Sequence, residues 1–476
     1  MEELDVIIVG AGISGINTAY RVQTELPSSR YLILDARDEI GGTWSFFRYP
    51  GLRSDSDLYT FGFPWKPWKQ GKLIATAPLI MDYLSEAVSE TGIDQHIRFK
   101  HHITAANWSN KEQKWQLTAT DPNGDTVYFK CKFIVMGTGY YDYKKALPAS
   151  IPEIENFAGP VIHPQFWPEN FDYSGKKIII VGSGATAITL LPNLAKKAAH
   201  VTMLQRSPTY IMKIENNPYK WDFLPQDLAI QLIRLLQIII GIIFYHVCRL
   251  FPDWAGNKLQ QAAAKQLPET VPLGPHFIPR YKPWDQRVCF TPNGDFFEAI
   301  RNSKASVETG TIRQVVEDGI ILHSGEKLQA DIIVTATGLK MQAMGGIRIS
   351  VDNEKIDIGE KYAWNNTMVQ DVPNFFFMVG YINASWTLGA DSSARMLCRL
   401  IKNMQARGQR SAVPGGVDAK KIGYRPLLAL TSTYAVQGGS ELPKCGNSGP
   451  WVPRTNYLLD LYKAVIGNID NGLIFA

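Results

Sequence analysis

The sequence predicts an α/β protein built from two parallel-sheet units, the second inserted into the first, together with a helical subdomain. Three observations predict it: strand, glycine-turn, helix, strand segments at 5–36 and 176–206, two further apolar strands bracketing the second segment, and one long apolar stretch at 227–251. A chain of 476 residues is also too long for one core of ordinary size, so two or three domains follow from length.

The first unit opens with the apolar run DVIIV at 5–9, turns at Gly10 and continues in helix-like spacing through Arg21. YLILDA at 31–36 returns as the second strand, giving the roughly thirty residues that a right-handed βαβ crossover needs. The same grammar recurs as KKIIIV at 176–181, a helix-like segment through Leu194 and VTMLQR at 201–206. FIVMGTG at 133–139 and DIIVTATG at 331–338 end in small-residue turns on either side of it. The domain plan is therefore 1–145 and 336–476 for the first domain and 150–335 for the second, with a helical insertion at about 212–285. Arg234, Gln237, Gly241 and His246 interrupt the stretch at 227–251, whose longest uncharged run falls short of the ~20 apolar residues that cross a bilayer. It is expected to form a buried helical subdomain, with peripheral membrane contact as the alternative.

Composition narrows the class. Hydrophobic residues at 45% and charged residues at 20% are ordinary globular values, which exclude wholesale disorder and a polytopic membrane protein. A net charge of +5 with no dense basic stripe argues against a nucleic-acid partner and suits a small anionic ligand. Cys131, Cys248, Cys289, Cys398 and Cys445 lie far apart and form no CxxC pair, which points to a reducing, cytoplasmic compartment and no metal cluster. No basic leader precedes the first apolar strand, so no secretion signal is expected.

Gly10-Ala11-Gly12-Ile13-Ser14-Gly15 is a GxGxxG between a strand and a helix, the context that makes this pattern a dinucleotide site. Gly10 allows the tight turn, Gly12 lets a pyrophosphate approach the backbone, and Gly15 lets helix and strand pack closely. Asp35, ending the next strand, can accept a hydrogen bond from an adenosine ribose. Gly182-Ser183-Gly184-Ala185-Thr186-Ala187 is the second fingerprint, and its return strand ends in Gln205-Arg206-Ser207 rather than in an acid. Arg206 can pair with a ribose phosphate, which selects NADPH over NADH, and Thr186 and Ser207 offer hydroxyls to the phosphates. A tightly held dinucleotide beside an NADPH site suggests FAD in the first turn. Gly41-Gly42-Thr43-Trp44 stands where a redox cysteine pair would otherwise sit, so a disulfide reductase is disfavoured and oxygen becomes the expected electron acceptor.

Two linker strings carry a family resemblance. Gly41-Gly42-x-Trp44-x4-Tyr49-Pro50-Gly51-x3-Asp55 follows the first unit, and Phe157-x-Gly159-x3-His163-x3-Trp167-Pro168 precedes the second. Both resemble the signatures of type I Baeyer-Villiger monooxygenases, and Trp167-Pro168 favours that branch over the N- and S-oxygenating flavin monooxygenases. Strings at 47–63, 163–169, 201–210, 283–289 and 383–388 are most similar to the ethionamide-activating subfamily.

The resemblance implies FAD, NADPH and O2 as reactants. It also implies oxygen insertion beside the carbonyl of a lipophilic ketone through a flavin peroxide, with sulfoxidation of thioethers as a second activity. An arginine paired with Asp55 would steady the developing negative charge. Arg287 in the WDQR string is the preferred candidate and Arg280 the runner-up. Trp386 in NASWTL would approach the nicotinamide or its ribose. His163, on the connection between domains, is expected as a hinge residue rather than a proton donor.

Overall fold

The computed structural model describes residues 1–221 and 223–476. Apolar runs at 4–9, 31–34 and 133–136 bury their side chains on both faces, as central parallel strands do. They lie in an eleven-stranded sheet drawn from two separate parts of the chain, residues 2–136 and 348–377. Strand Glu2–Val9 pairs in parallel with Tyr31–Leu34 on one side and with Thr126–Met136 on the other. Thr126–Met136 is long enough to change partner along its far edge. Its first half pairs antiparallel with Lys114–Thr120, and Ile134 to Met136 pair in parallel with Phe375–Phe377.

The residues between those two parts form a second sheet of five parallel strands, in the order Ala305–Thr309, His200–Gln205, Lys177–Val181, Ile332–Thr335, Val161–Ile162. Each sheet carries one glycine turn leading into a helix: α1 (Ile13–Glu25) in the first and α2 (Ala185–Leu194) in the second. The helical region follows as α3 (Gln226–Leu250) and α4 (Pro252–Ala264), and the C-terminal part adds α5 (Trp386–Ala406) and α6 (Tyr457–Val465). α5 packs across α1, where Asp391, buried beneath both helices, accepts hydrogen bonds from Arg21 Nε and Arg395 Nε, each at 2.8 Å.

α3 departs from the expected buried subdomain. Ala229, Ile230, Ile233 and Cys248 are buried, but Leu228, Leu232, Leu235, Ile239 and Ile243 are exposed. The helix is apolar on nearly every face, so periodicity alone does not reveal which face meets the protein. The contact is fixed instead by Arg234, whose guanidinium reaches the carbonyls of Tyr59 and Gly62 in the first domain.

Candidate active site

Both glycine turns open onto one cavity of about 1320 Å³ between the two sheets. In the first turn the need for glycine is steric: a Cβ on Gly15 would stand 1.9 Å from the Gly10 carbonyl oxygen, and Gly10 holds φ +105° with its own Cβ position 2.8 Å from the Gly137 carbonyl oxygen. Asp35 ties the turn down, accepting hydrogen bonds from the Ala11 amide at 2.6 Å and the Arg37 amide at 2.8 Å while lining the cavity. Gly42 backs onto Gly12, and Arg37 holds that cover by donating to the Gly42 carbonyl at 2.9 Å. Trp44 completes it, edge-on to Phe61.

The second turn is more open. A Cβ on Gly184 would meet no atom within 4 Å. Gly182 is confined by the Ala336 carbonyl, and Ala187 is fully buried against the sheet. Arg206 is exposed at the cavity rim, with one long contact of 3.4 Å to Thr433 Oγ1, and the Ser207 carbonyl accepts from Ser183 Oγ at 3.1 Å. Neither α1 nor α2 has a side-chain cap or an acid in its first turn, so both present backbone N–H groups to the cavity. Arg287 Nε, Thr337 Oγ1 and Ser432 Oγ, all on residues lining the cavity, are buried polar atoms without a protein partner. Open space over the glycines, uncapped amides and orphaned donors fit two long anionic ligands.

The linker residues bring the two domains to this cavity. Tyr49, Gly51, Arg53 and Asp55 lie on one loop. A Cβ on Gly51, which holds φ +78°, would collide with Asn193 of α2; Tyr49 packs against the core of the second domain; and Arg53 forms an ion pair with Asp295 of the second domain. Asp55 accepts from Arg287 Nη1 at 3.1 Å inside the cavity. Arg280 is exposed and stands outside the cavity lining. In the second string, Gly159 packs on the Asp331 carbonyl and Phe157 joins the core of the second domain, while Trp167 packs edge-on to Phe171 and Tyr173. His163 Nδ1 accepts from the Gln165 amide at 3.2 Å, and burial keeps its pKa below the usual imidazole value.

Sequence reasoning missed the aromatic wall around Arg287. Tyr140 and Tyr141 leave the strand that ends at Met136, their hydroxyls are 2.8 Å apart, and Tyr140 stacks on Trp386 with centroids at 5.0 Å. Burial pushes the Tyr140 phenol up to about 12 and raises Tyr141 as well, so both remain proton donors. For Arg287 burial pulls the other way, yet the Asp55 carboxylate beside it opposes that pull and the guanidinium stays charged. Trp386 Nε1 donates to Ser14 Oγ at 2.9 Å, which sets its indole beside the first turn. The available signal was position, since residues just beyond the carboxyl end of a parallel strand line the crevice of such sheets.

The chain crosses between the two domains at 137–160 and 336–347, and these two connections lie side by side. The Asp142 amide donates to the Lys340 carbonyl at 2.9 Å and the Gln342 amide to the Tyr140 carbonyl at 3.0 Å, making a short antiparallel ladder between the domain crossings. Lys340 Nζ pairs with buried Asp142 Oδ2 at 3.0 Å, and Gln165 Nε2 donates to the Asp142 carbonyl at 2.7 Å.

Known proteins agree with this architecture. The flavin-binding monooxygenase-like family matches residues 74–249, and the NAD(P)-binding Rossmann-like domain matches residues 8–70. The chain is 44% identical to the FAD-containing monooxygenase EthA of Mycolicibacterium smegmatis, over 98% of this chain and 96% of that protein. It is 42% identical to the probable FAD-binding monooxygenase AlmA of Acinetobacter baylyi, over 99% and 96%. Among solved structures, OTEMO in complex with FAD and NADP superposes with a TM-score of 0.75 at 19% identity, covering 99% of both chains. Cyclohexanone monooxygenase bound to epsilon-caprolactone superposes with a TM-score of 0.71 at 20% identity, covering 87% of this chain and 90% of that one. With its paired glycine turns meeting at one cavity and near-full-length likeness to these relatives, the chain belongs to the FAD-containing, flavin-binding monooxygenases.

Proposed function

We propose that the chain holds FAD at Gly10 to Gly15 with Asp35 and Trp44, takes NADPH at Gly182 to Ala187 with Arg206, and inserts one oxygen atom of O2 beside the carbonyl of a lipophilic ketone. The balanced reaction converts ketone, NADPH, a proton and O2 into ester or lactone, NADP+ and water. When bound, FAD supplies the hydride acceptance and oxygen activation that no side chain in the cavity can supply. The observation that carries this reading is the Arg287–Asp55 pair, 3.1 Å apart in the cavity onto which both turns open.

Arg287 places a permanent cation where negative charge develops on the attacked carbonyl oxygen, and Asp55 fixes the direction of its fork. Tyr140 and Tyr141 donate protons only, because their raised pKa values keep them neutral. Trp386 and Tyr140 exclude water from one side. Thr186 and Ser207 offer donors to the phosphates of NADPH, and His163 sits at the hinge across which the domains shift as NADPH and substrate exchange. Sulfoxidation of thioethers uses the same cavity.

Product analysis on a panel of lipophilic ketones and thioethers tests the reading. Ester together with sulfoxide is expected. Sulfoxide with no ester from any ketone would reassign the chain to an S-oxygenating activity, and NADPH consumption that yields only hydrogen peroxide would make it an uncoupled oxidase.

A further inference from the structure

The densest group of large exposed apolar side chains lies on two neighbouring helices, α3 and α6. Leu228, Leu232, Leu235, Ile239 and Ile243 recur at helical spacing along the outer side of α3, and exposed Leu250 extends that stripe over about 33 Å of helix. α6 adds exposed Leu458, Leu459, Tyr462 and Val465. The two helices are neighbours, because Ile238 of α3 and Leu461 of α6 pack on the same cluster of Tyr381, Leu388 and Tyr457. An apolar patch of this extent marks an interaction surface rather than ordinary surface variation.

We propose that this face docks on an anionic lipid bilayer, with α3 lying flat in the interface. Three observations choose lipid over another occupant. First, α3 is held near its start by Arg234 and buried Ile230 and Ile233, midway by Ile238, and near its end by buried Cys248 and the Arg249–Asp285 pair, so it is fixed parallel to the protein surface and cannot turn to span a membrane. Second, the rim is cationic. Apart from Arg234, which turns inward onto the Tyr59 and Gly62 carbonyls, residues 220–265 carry four Lys or Arg against three Asp. Asp227 is held by Lys69 at 3.2 Å and Arg249 by Asp285 at 2.7 Å, whereas Lys220 and Lys258 have no acidic partner among the described residues. Lys258 sits 6.0 Å above the ring of exposed Trp254, an indole and ammonium pair suited to the headgroup level. A second copy of the chain would bring the same excess of cations and complements this rim less well.

Third, the face backs directly onto the cavity. Tyr381 and Ala384 line the cavity on one side and, on the other, belong to the cluster that Ile238 and Leu461 cover. A single layer of side chains therefore separates docked lipid from the site, and a hydrocarbon substrate dissolved in the bilayer would reach it between α3 and α6. This route rests on the monooxygenase reading of the cavity; the docking itself does not.

Co-sedimentation of the full-length, FAD-loaded protein with phosphatidylglycerol-containing and pure phosphatidylcholine vesicles tests the proposal. Binding to the anionic vesicles is expected, weaker binding to the neutral ones, and a loss of about tenfold in affinity for the double variant Leu235→Gln, Ile243→Gln. Both residues are exposed, so the variant should keep the wild-type thermal midpoint and turnover of a water-soluble ketone, while its KM rises for a ketone presented in vesicles. Absence of binding to either vesicle overturns the proposal. So does a wild-type protein that is dimeric without lipid and becomes monomeric in the double variant, since a second copy would then cover the face. A wild-type protein that binds vesicles but oxidises no ketone or thioether would instead refute the reading of the cavity.

Discussion

The two glycine turns share one sequence pattern but are built differently. The first is closed: Asp35 takes the Ala11 amide at 2.6 Å, Gly42 covers Gly12, and a methyl at Gly15 would overlap the Gly10 carbonyl. The second is open, with nothing within 4 Å of a Cβ at Gly184, a buried alanine at position 187, and a rim arginine making only one long contact. A ligand under the first turn must displace a covering loop to leave, whereas one at the second faces a free cleft. The difference suits a resident cofactor in one and a consumed, exchanging one in the other.

Gly15→Ala breaks that contrast most severely. The new methyl, 1.9 Å from a backbone oxygen, has no soft neighbour to push aside, so α1 must shift from the sheet. A destabilisation of about 3 kcal/mol or more is expected, with loss of bound flavin. The converse change, Ala187→Gly in the second turn, should cost about 1–2 kcal/mol from helix propensity and the loss of one buried methyl, and leave flavin content unchanged. Thermal denaturation and the ratio of flavin to protein absorbance read both; equal effects would show that the two turns are packed alike.

Arg287→Ala comes next, because it lies where the cavity joins the two turns. Ester formation should fall roughly 100- to 1,000-fold while NADPH oxidation continues, so consumed NADPH appears as hydrogen peroxide. Arg280→Ala, outside the cavity, should leave product yield at the wild-type value; a comparable loss there would transfer the assignment to Arg280.

Arg206→Ala sharpens the contrast at the open site. The KM for NADPH should rise about tenfold, with the NADH value nearly constant, since only the ribose phosphate distinguishes the two. A parallel rise for both nucleotides would mean that Arg206 supports the turn rather than reading the phosphate.

Both turns were legible because glycine at a fixed spacing after an apolar strand has few other uses, and the alternation of strand and helix gave the inserted second unit. The wall of Tyr140, Tyr141 and Tyr434 was not, since the three residues meet only when a strand end and a C-terminal loop converge on Arg287. The choice between Arg280 and Arg287 likewise depended on where one loop turns. α3 was misjudged for a different reason. An apolar helix reads the same whether its outer face meets protein or not, and here Ala229, Ile230, Ile233 and Cys248 are buried while the opposite side stays exposed. Similarly, the ion pair of Arg53 and Asp295 joins residues 242 positions apart and left no local trace.

The crossing between the two domains yields the smallest effect. His163 is half-buried and its Nδ1 accepts from the Gln165 amide, a bond that requires that nitrogen to be unprotonated. Its Nε2 is buried without a partner, and burial lowers the folded pKa below the ordinary 6.5. The unfolded chain therefore binds a proton that the folded chain resists, so the stability supplied by neutral His163 is present above pH 6.5 and is lost as pH falls below it. His163→Asn keeps an acceptor for the Gln165 amide but cannot be protonated in this range. The difference in thermal midpoint between pH 7.5 and 5.5 should shrink by about 1 °C in this variant, roughly the effect of 1 kcal/mol in a chain of this size. His102, His200 and His276 also have lowered values and will keep part of the slope. An unchanged slope would show that the hinge imidazole is protonated as readily in the folded protein as in the unfolded one, and that the crossing is held by Asp142 and Lys340 alone.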